Sequence, residues 1–150
     1  MARPDHSALA AAARRISEEC IGMRVRRLGR TVTRIFDDAL RPHGLGIAQL
    51  SMLVAIARAG PLRPFELGCI LDLEKSTVTR NLERMLAHGW IRSTPEAGGN
   101  GYHVELESAG RALVQRAYPA WLVAQERARR ELGEALESAM RKASVGGRSV

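Results

Sequence analysis

Apolar residues recur at helical spacing through most of this chain, interrupted by clusters of glycine and proline. Val25, Leu28, Val32, Ile35, Phe36 and Ala39 fall on one stripe of a helix predicted over residues 7–41. Arg24, Arg27, Arg30, Arg34 and Arg41 lie mostly off that stripe, and Pro42, Gly44 and Gly46 end the element. Leu50, Leu53, Val54 and Ala57 give a second helix its expected buried face, closed by Gly60-Pro61. A short third helix is predicted over about residues 63–70, and Leu71-Asp72-Leu73-Glu74 makes a tight connection to a fourth over 75–88. Gly89 stands where a left-handed helix cap is expected. Residues 90–93 and 102–106 read as two strands around a turn rich in glycine, Gly98, Gly99 and Gly101 with Asn100. Helix resumes from Ser108 to about Ala143; Pro119 is expected to kink or break it, Gly133 to mark a further break, and residues 146–150 to fray.

Two short helices joined by a tight turn and followed by a β-hairpin predict a winged helix-turn-helix. The fold class is therefore mainly α with a small β-hairpin wing, in a single domain over 1–150. Residues 46–107 form the lobe, and 7–45 and 108–143 are long flanking helices. Their apolar stripes exceed what so small a lobe can cover, which points to a homodimer. Packing of the two ends on each other is the alternative, and both can hold at once.

The fourth helix carries the chemistry. At about 100° per residue, Val78, Leu82, Met85 and Leu86 cluster on one side as core. Ser76, Arg80 and Arg84 take the opposite pole, with Thr77 and Thr79 at its flanks and Lys75 at its start. Short hydroxyls near a helix start can bond phosphates or base edges, and guanidiniums one and two turns on can fork onto guanine or phosphate. A solvated face with local ion pairs is the plain alternative; the preceding helix, turn and hairpin favour double-stranded DNA. Arg92 and His103, toward the strand bases, are the basic side chains that the hairpin itself can offer.

Charge agrees only in part. The net charge of +7 and a pI near 10.6 suit an anionic partner, although 21 of the 23 basic residues are arginine, which a compositional bias would also produce. Residues 1–60 carry a net +5 and 108–150 a net +4, but residues 61–107 between them, most of the lobe, are net −2. Phosphate contacts are therefore expected from the fourth helix and the arginine-rich flanks.

Cys20 and Cys69 stand 49 positions apart, with no signal-peptide pattern and no apolar run near the ~18 residues of a membrane span, so reduced thiols and a cytoplasmic location are expected. The four histidines show no metal-ligand spacing, no nucleophile elbow, phosphate loop or paired-carboxylate motif is present, and neither enzyme activity nor a cofactor is expected. Near Cys20, Arg24 carries a charge that favours a thiolate, while Glu18 and Glu19 oppose one. The spacing of Cys20 with Ile16 and Met23 equally fits buried packing, the preferred reading; Cys69 is expected in the core.

Gly60-Pro61-Leu62, the run Leu71-Asp72-Leu73-Glu74-Lys75-Ser76-Thr77-Val78-Thr79-Arg80-Asn81-Leu82-Glu83-Arg84-Met85, and Leu106-Glu107-Ser108-Ala109-Gly110-Arg111 resemble the MarR family of regulators. So does Gly44-Leu45-Gly46-Ile47-Ala48-Gln49-Leu50, and the likeness extends over about residues 20–135. The resemblance implies dimerisation through the terminal helices, reading of a palindromic operator by the fourth helix, and release by small ligands or oxidants. It also marks departures. Glu74 stands where Asp or Ser is usual, and Asp72 where Gly is common. The wing tip Glu96-Ala97-Gly98-Gly99-Asn100-Gly101 lacks the usual arginine. The readings that follow are a DNA-binding repressor or, on the same fold, a protein-interaction module or antagonist with weakened DNA contacts. A third follows from the resemblance, since a redox-sensing branch of the family places its reactive cysteine near the start of the first long helix: a cysteine-based redox sensor with Cys20 as the candidate thiol.

Overall fold

A computed structural model of the chain describes residues 6–145. The fraying expected for 146–150 lies outside them. Two compact units divide between Arg34 and Ile35.

The first unit holds α1 (His6–Glu19) and most of α2 (Ile21–Leu40). The single helix expected over 7–41 is therefore interrupted at Cys20. Bonds from the Cys20 N–H to Ile16 O (3.0 Å) and from the Arg24 N–H to Cys20 O (3.1 Å) persist, so the break is local. Its cause is nearby: Gly22 is a weak helix former, and the Arg24 guanidinium donates to the Glu18 carbonyl that Gly22 would use. Leu9, Ile16, Ile21, Met23 and Val25 are all more than half exposed.

The second unit begins with the end of α2, where Ile35, Phe36 and Leu40 are buried. A 3-10 turn at Arg41–His43 leads to α3 (Ile47–Ala59). Asp37 Oδ1 accepts the Ile47 N–H at 2.8 Å, and the Gln49 side chain accepts the Gly46 N–H at 3.0 Å, so two of the backbone donors left open at the start of α3 are satisfied. The buried face of α3 is Leu50, Met52, Leu53, Ala55 and Ile56; Val54 and Ala57 are exposed, which rotates the expected stripe.

Then come α4 (Pro64–Leu71) and α5 (Lys75–Ala87), the helix-turn-helix. Between them Asp72 takes the left-handed conformation at φ 51°, and the Leu73 N–H reaches back to Gly68 O at 2.9 Å. Gly68 permits this: a Cβ there would lie 3.1 Å from Leu73 O. Gly89, at φ 67°, closes α5 as expected.

The antiparallel pair β1 (Ile91–Pro95) and β2 (Tyr102–Leu106) forms the wing, with Arg92 opposite Glu105 and Thr94 opposite His103. Leu62 adds a short bridge to Val104 that periodicity did not reveal. Helix α6 (Ser108–Leu132) runs through Pro119 unbroken, so of the expected kink or break the break does not occur. Pro119 lies on the exposed side, where the carbonyl that it leaves unpaired can be hydrated. Gly133 ends α6, and α7 (Glu134–Val145) follows.

Leu53, Leu67, Val78, Leu82, Met85, Ile91, Val104 and Leu113 make the lobe's core, each at most 2 % exposed. Burial at that level stabilises by about 2 kcal/mol per side chain. Gly110 lets α6 meet the hairpin: a Cβ there would sit 2.2 Å from Trp90 O, the oxygen that accepts the Glu107 N–H at 3.0 Å.

Candidate nucleic-acid interface

With Val78, Leu82 and Met85 fixed in the core, the rotation of α5 is set. Lys75, Ser76, Thr79, Arg80 and Arg84 are exposed on its outer side and Thr77 is half-buried. The Thr79 hydroxyl donates to Lys75 O and the Asn81 amide to Thr77 O, both at 2.9 Å, so these two side chains are turned back on the helix. Lys75, Arg80 and Arg84 make no ion pair among the described residues. A shallow depression runs along this face past Lys75, Ser76, Thr79 and Arg80, bordered by Glu74 and Glu83.

The hairpin is organised differently. Arg92, which the sequence offered as a basic contact, donates to Glu105 Oε2 from Nη2 at 2.6 Å and from Nε at 3.2 Å. Glu107 lies 3.6 Å away. The hydrogen bond to Glu105, then the charges of Glu105 and Glu107, hold Arg92 above the usual arginine range. Its cation is thus balanced by its own hairpin.

At the other end of the hairpin, Arg63 forks onto Glu96: Nε to Oε1 at 2.5 Å and Nη2 to Oε2 at 2.9 Å. Sequence reasoning missed this pair, because the partners are 33 positions apart and neither sits in a periodic pattern. The one available signal was Arg63-Pro64, a helix start beside an otherwise uncharged turn; the Arg63 N–H is capped by Glu66 Oε2 at 2.7 Å.

An open groove of about 1190 Å³ joins these parts, lined among others by Arg63, Phe65, Lys75, Thr79, Asn100 and Tyr102. Cys69 is in the same wall and is exposed, not core as expected. Leu67 faces the core from α4, and Cys69, two positions on, is turned roughly 200° away. Cys20 is half-buried, and its helical neighbours Ile16 and Met23 are more than half exposed, so the buried packing expected of it is not seen within the first unit. Among the described residues no group of His, Cys, Asp or Glu could hold a metal ion, and no helix is long and apolar enough to cross a membrane.

Comparison with known proteins points the same way. A model of the MarR family matches residues 43–99. The multiple antibiotic resistance protein MarR of Salmonella typhimurium is 30% identical over 86 residues, 57% of this chain and 60% of that relative's length. The solved structure of the M. tuberculosis transcriptional regulator MosR is 34% identical and superposes over 85% of this chain and 93% of that one, with a TM-score of 0.73. The same regulator in complex with DNA gives 33% and 0.74 over 85% and 94% of the two chains. A mutant MarR from E. coli complexed with operator DNA, 20% identical, shares the fold over 86% of this chain and 94% of that one at a TM-score of 0.75.

Proposed function

This chain belongs to the MarR family, and from that premise we propose that it is a DNA-binding transcriptional regulator. It acts as a homodimer on a palindromic operator, represses, and is released by a small ligand or another signal. The observation that carries the reading is the outer face of α5, where Lys75, Ser76, Arg80 and Arg84 stand exposed on a rigidly seated helix. A helix so presented suits the major groove, with Arg80 toward base edges and Arg84 toward the backbone. Lys75, Ser76, Thr77 and Thr79 contribute around its start, and Arg92 flanks them from the hairpin. The M. tuberculosis relative solved with DNA supports the same partner.

Dimerisation through the terminal helices is supported by exposed apolar side chains. Ile16, Ile21, Met23 and Val25 in the first unit, and Tyr118, Leu122 and Val123 on α6, are 46–75 % exposed. A second copy would cover these faces, and twofold symmetry would then impose two half-sites on the operator. Light scattering at micromolar concentration is expected to give a dimer. The groove beside α5 offers an effector space.

Selection of duplexes from a random-sequence library by the purified chain tests the reading. An enriched palindrome whose binding falls on Arg80→Ala supports it. Failure to enrich any duplex overturns it and favours the second reading, an antagonist that pairs with a relative; the net −2 of residues 61–107 and the balanced Arg92 are what favour that reading.

A further inference from the structure

The hairpin has no arginine at its tip, yet a guanidinium lies against it. Arg63 stands just before α4 and reaches Glu96 through both arms of its fork. Glu96 in turn closes the hairpin: its N–H donates to Gly101 O at 2.9 Å. Gly101 leaves the carboxylate room, since a Cβ there would sit 2.9 Å from Glu96 Cδ. His103 Nδ1 lies 3.5 Å from the oxygen that Arg63 Nε contacts. The Glu96 side chain is 20 % exposed and that of Arg63 55 %, so the acid is the seated member and the guanidinium the presented one.

An arginine carries five N–H donors. Glu96 takes one from Nε and one from Nη2, leaving both hydrogens of Nη1 uncommitted among the described residues. Arg63 also lines the groove that Lys75 and Thr79 of α5 and Asn100 and Gly101 of the tip share. In a helix-turn-helix the first helix crosses the sugar–phosphate backbone while the second enters the major groove. The start of α4 therefore comes close to phosphate when α5 is docked.

We propose that Arg63 is the wing's DNA-contacting cation, supplied from the start of α4, and that Glu96 is the positioning residue that holds it at the tip. The inference rests on the duplex-DNA reading of this lobe. It replaces a cation absent from the hairpin sequence by one brought in through the fold.

The sign of the Glu96 effect separates positioning from bulk charge. Removing an acid beside a polyanion tightens binding by electrostatics alone. If Glu96 positions Arg63, its removal weakens binding although the net charge rises. Affinity is measured over a salt series on the duplex selected by the wild-type chain, with the melting midpoint of each variant as the folding control. Arg63→Ala is expected to lower affinity about tenfold and to flatten the salt slope by about one unit. Glu96→Ala is expected to weaken binding about threefold, the loss of an oriented hydrogen bond. Arg63→Lys keeps the charge without the fork; it should retain the slope but not the affinity, and it serves if Arg63→Ala does not fold. Binding that depends on Arg80 yet is unchanged by Arg63→Ala, or strengthened by Glu96→Ala, overturns the proposal and leaves the DNA reading standing. A wild-type chain that enriches no duplex removes both.

Discussion

Along α5, Lys75, Arg80 and Arg84 have no ion-pair partner among the described residues, whereas in the hairpin Arg92 is held by Glu105 and Glu107 and Glu96 by Arg63. Both regions border one groove and belong to one lobe. The difference lies in what positions each side chain. Helix α5 is oriented by Val78, Leu82 and Met85 beneath it, so its outer charges are not needed for structure. The hairpin has two short strands and one small buried face, Ile91 and Val104, so its cross-strand charges take part in holding it. A positive residue in the hairpin is therefore a weaker indicator of DNA contact than the same residue on α5.

The largest expected effect breaks the comparison at its root by unseating the hairpin. Gly110→Ala would bring a Cβ to 2.2 Å from Trp90 O, a backbone atom that cannot swing aside. We expect a loss of about 3 kcal/mol in folding stability, the upper part of the range for overpacking. Denaturant midpoints check this, and an unchanged midpoint would mean that α6 and β1 can separate freely.

Next in size is the contrast itself. Arg80→Ala is expected to cost about 2 kcal/mol of operator affinity and to relax sequence preference, as for a base-edge arginine. Arg84→Ala should instead flatten the salt slope by about one unit. Titrations of the two variants on matched and mismatched duplexes separate these outcomes, and indifference of the double variant would remove α5 as the reader.

Supplying the tip with a cation of its own sharpens the comparison from the other side. Gly99 has no positive φ, and its Cβ would meet Glu96 Oε2 at an ordinary 3.8 Å, so Gly99→Arg fits without strain. Binding should tighten by about 1 kcal/mol, the low end for a charge-assisted hydrogen bond. If affinity does not change, the tip does not approach phosphate.

How much of this was legible in the sequence follows the range of the forces involved. Periodicity gave α5 and its buried residues because a helix face is a local pattern: Val78, Leu82 and Met85 need no knowledge of their partners. Gly89 and Gly133 were legible for the same reason, as local stops. The bridge from Leu62 to Val104 and the fork from Arg63 to Glu96 join residues far apart in sequence, and no window short enough to show periodicity contains both ends. Cys69 is exposed although its place between Gly68 and Ile70 predicts core. On the eight-residue α4 only Leu67 is fully covered, and Phe65 and Ile70 are 79 % and 54 % exposed. At Pro119 the break does not occur, because one missing hydrogen bond on the exposed side does not end a 25-residue helix.

The smallest expected effect concerns the turn that aims α5. Asp72 is the one non-glycine residue with positive φ among the described residues, at 51°. A left-handed conformation costs an L-residue about 1 kcal/mol, and less for Asp, whose short side chain tolerates it. Asp72→Gly removes that cost but gives the unfolded chain more freedom, a penalty of about 0.5–1 kcal/mol that nearly cancels the gain. The net expectation is a stability change of a few tenths of a kcal/mol, roughly neutral by either sign. The backbone path from Gly68 to Leu73 should stay as it is, because the Leu73 N–H to Gly68 O bond does not involve the replaced side chain. Operator affinity should then rise slightly, since one acid leaves the edge of a groove that Lys75 shares. A variant that melts normally but loses binding would mean that Asp72 fixes the angle of α5 through its side chain. The unengaged charges of α5 would then depend on the turn before it as much as on the core beneath it.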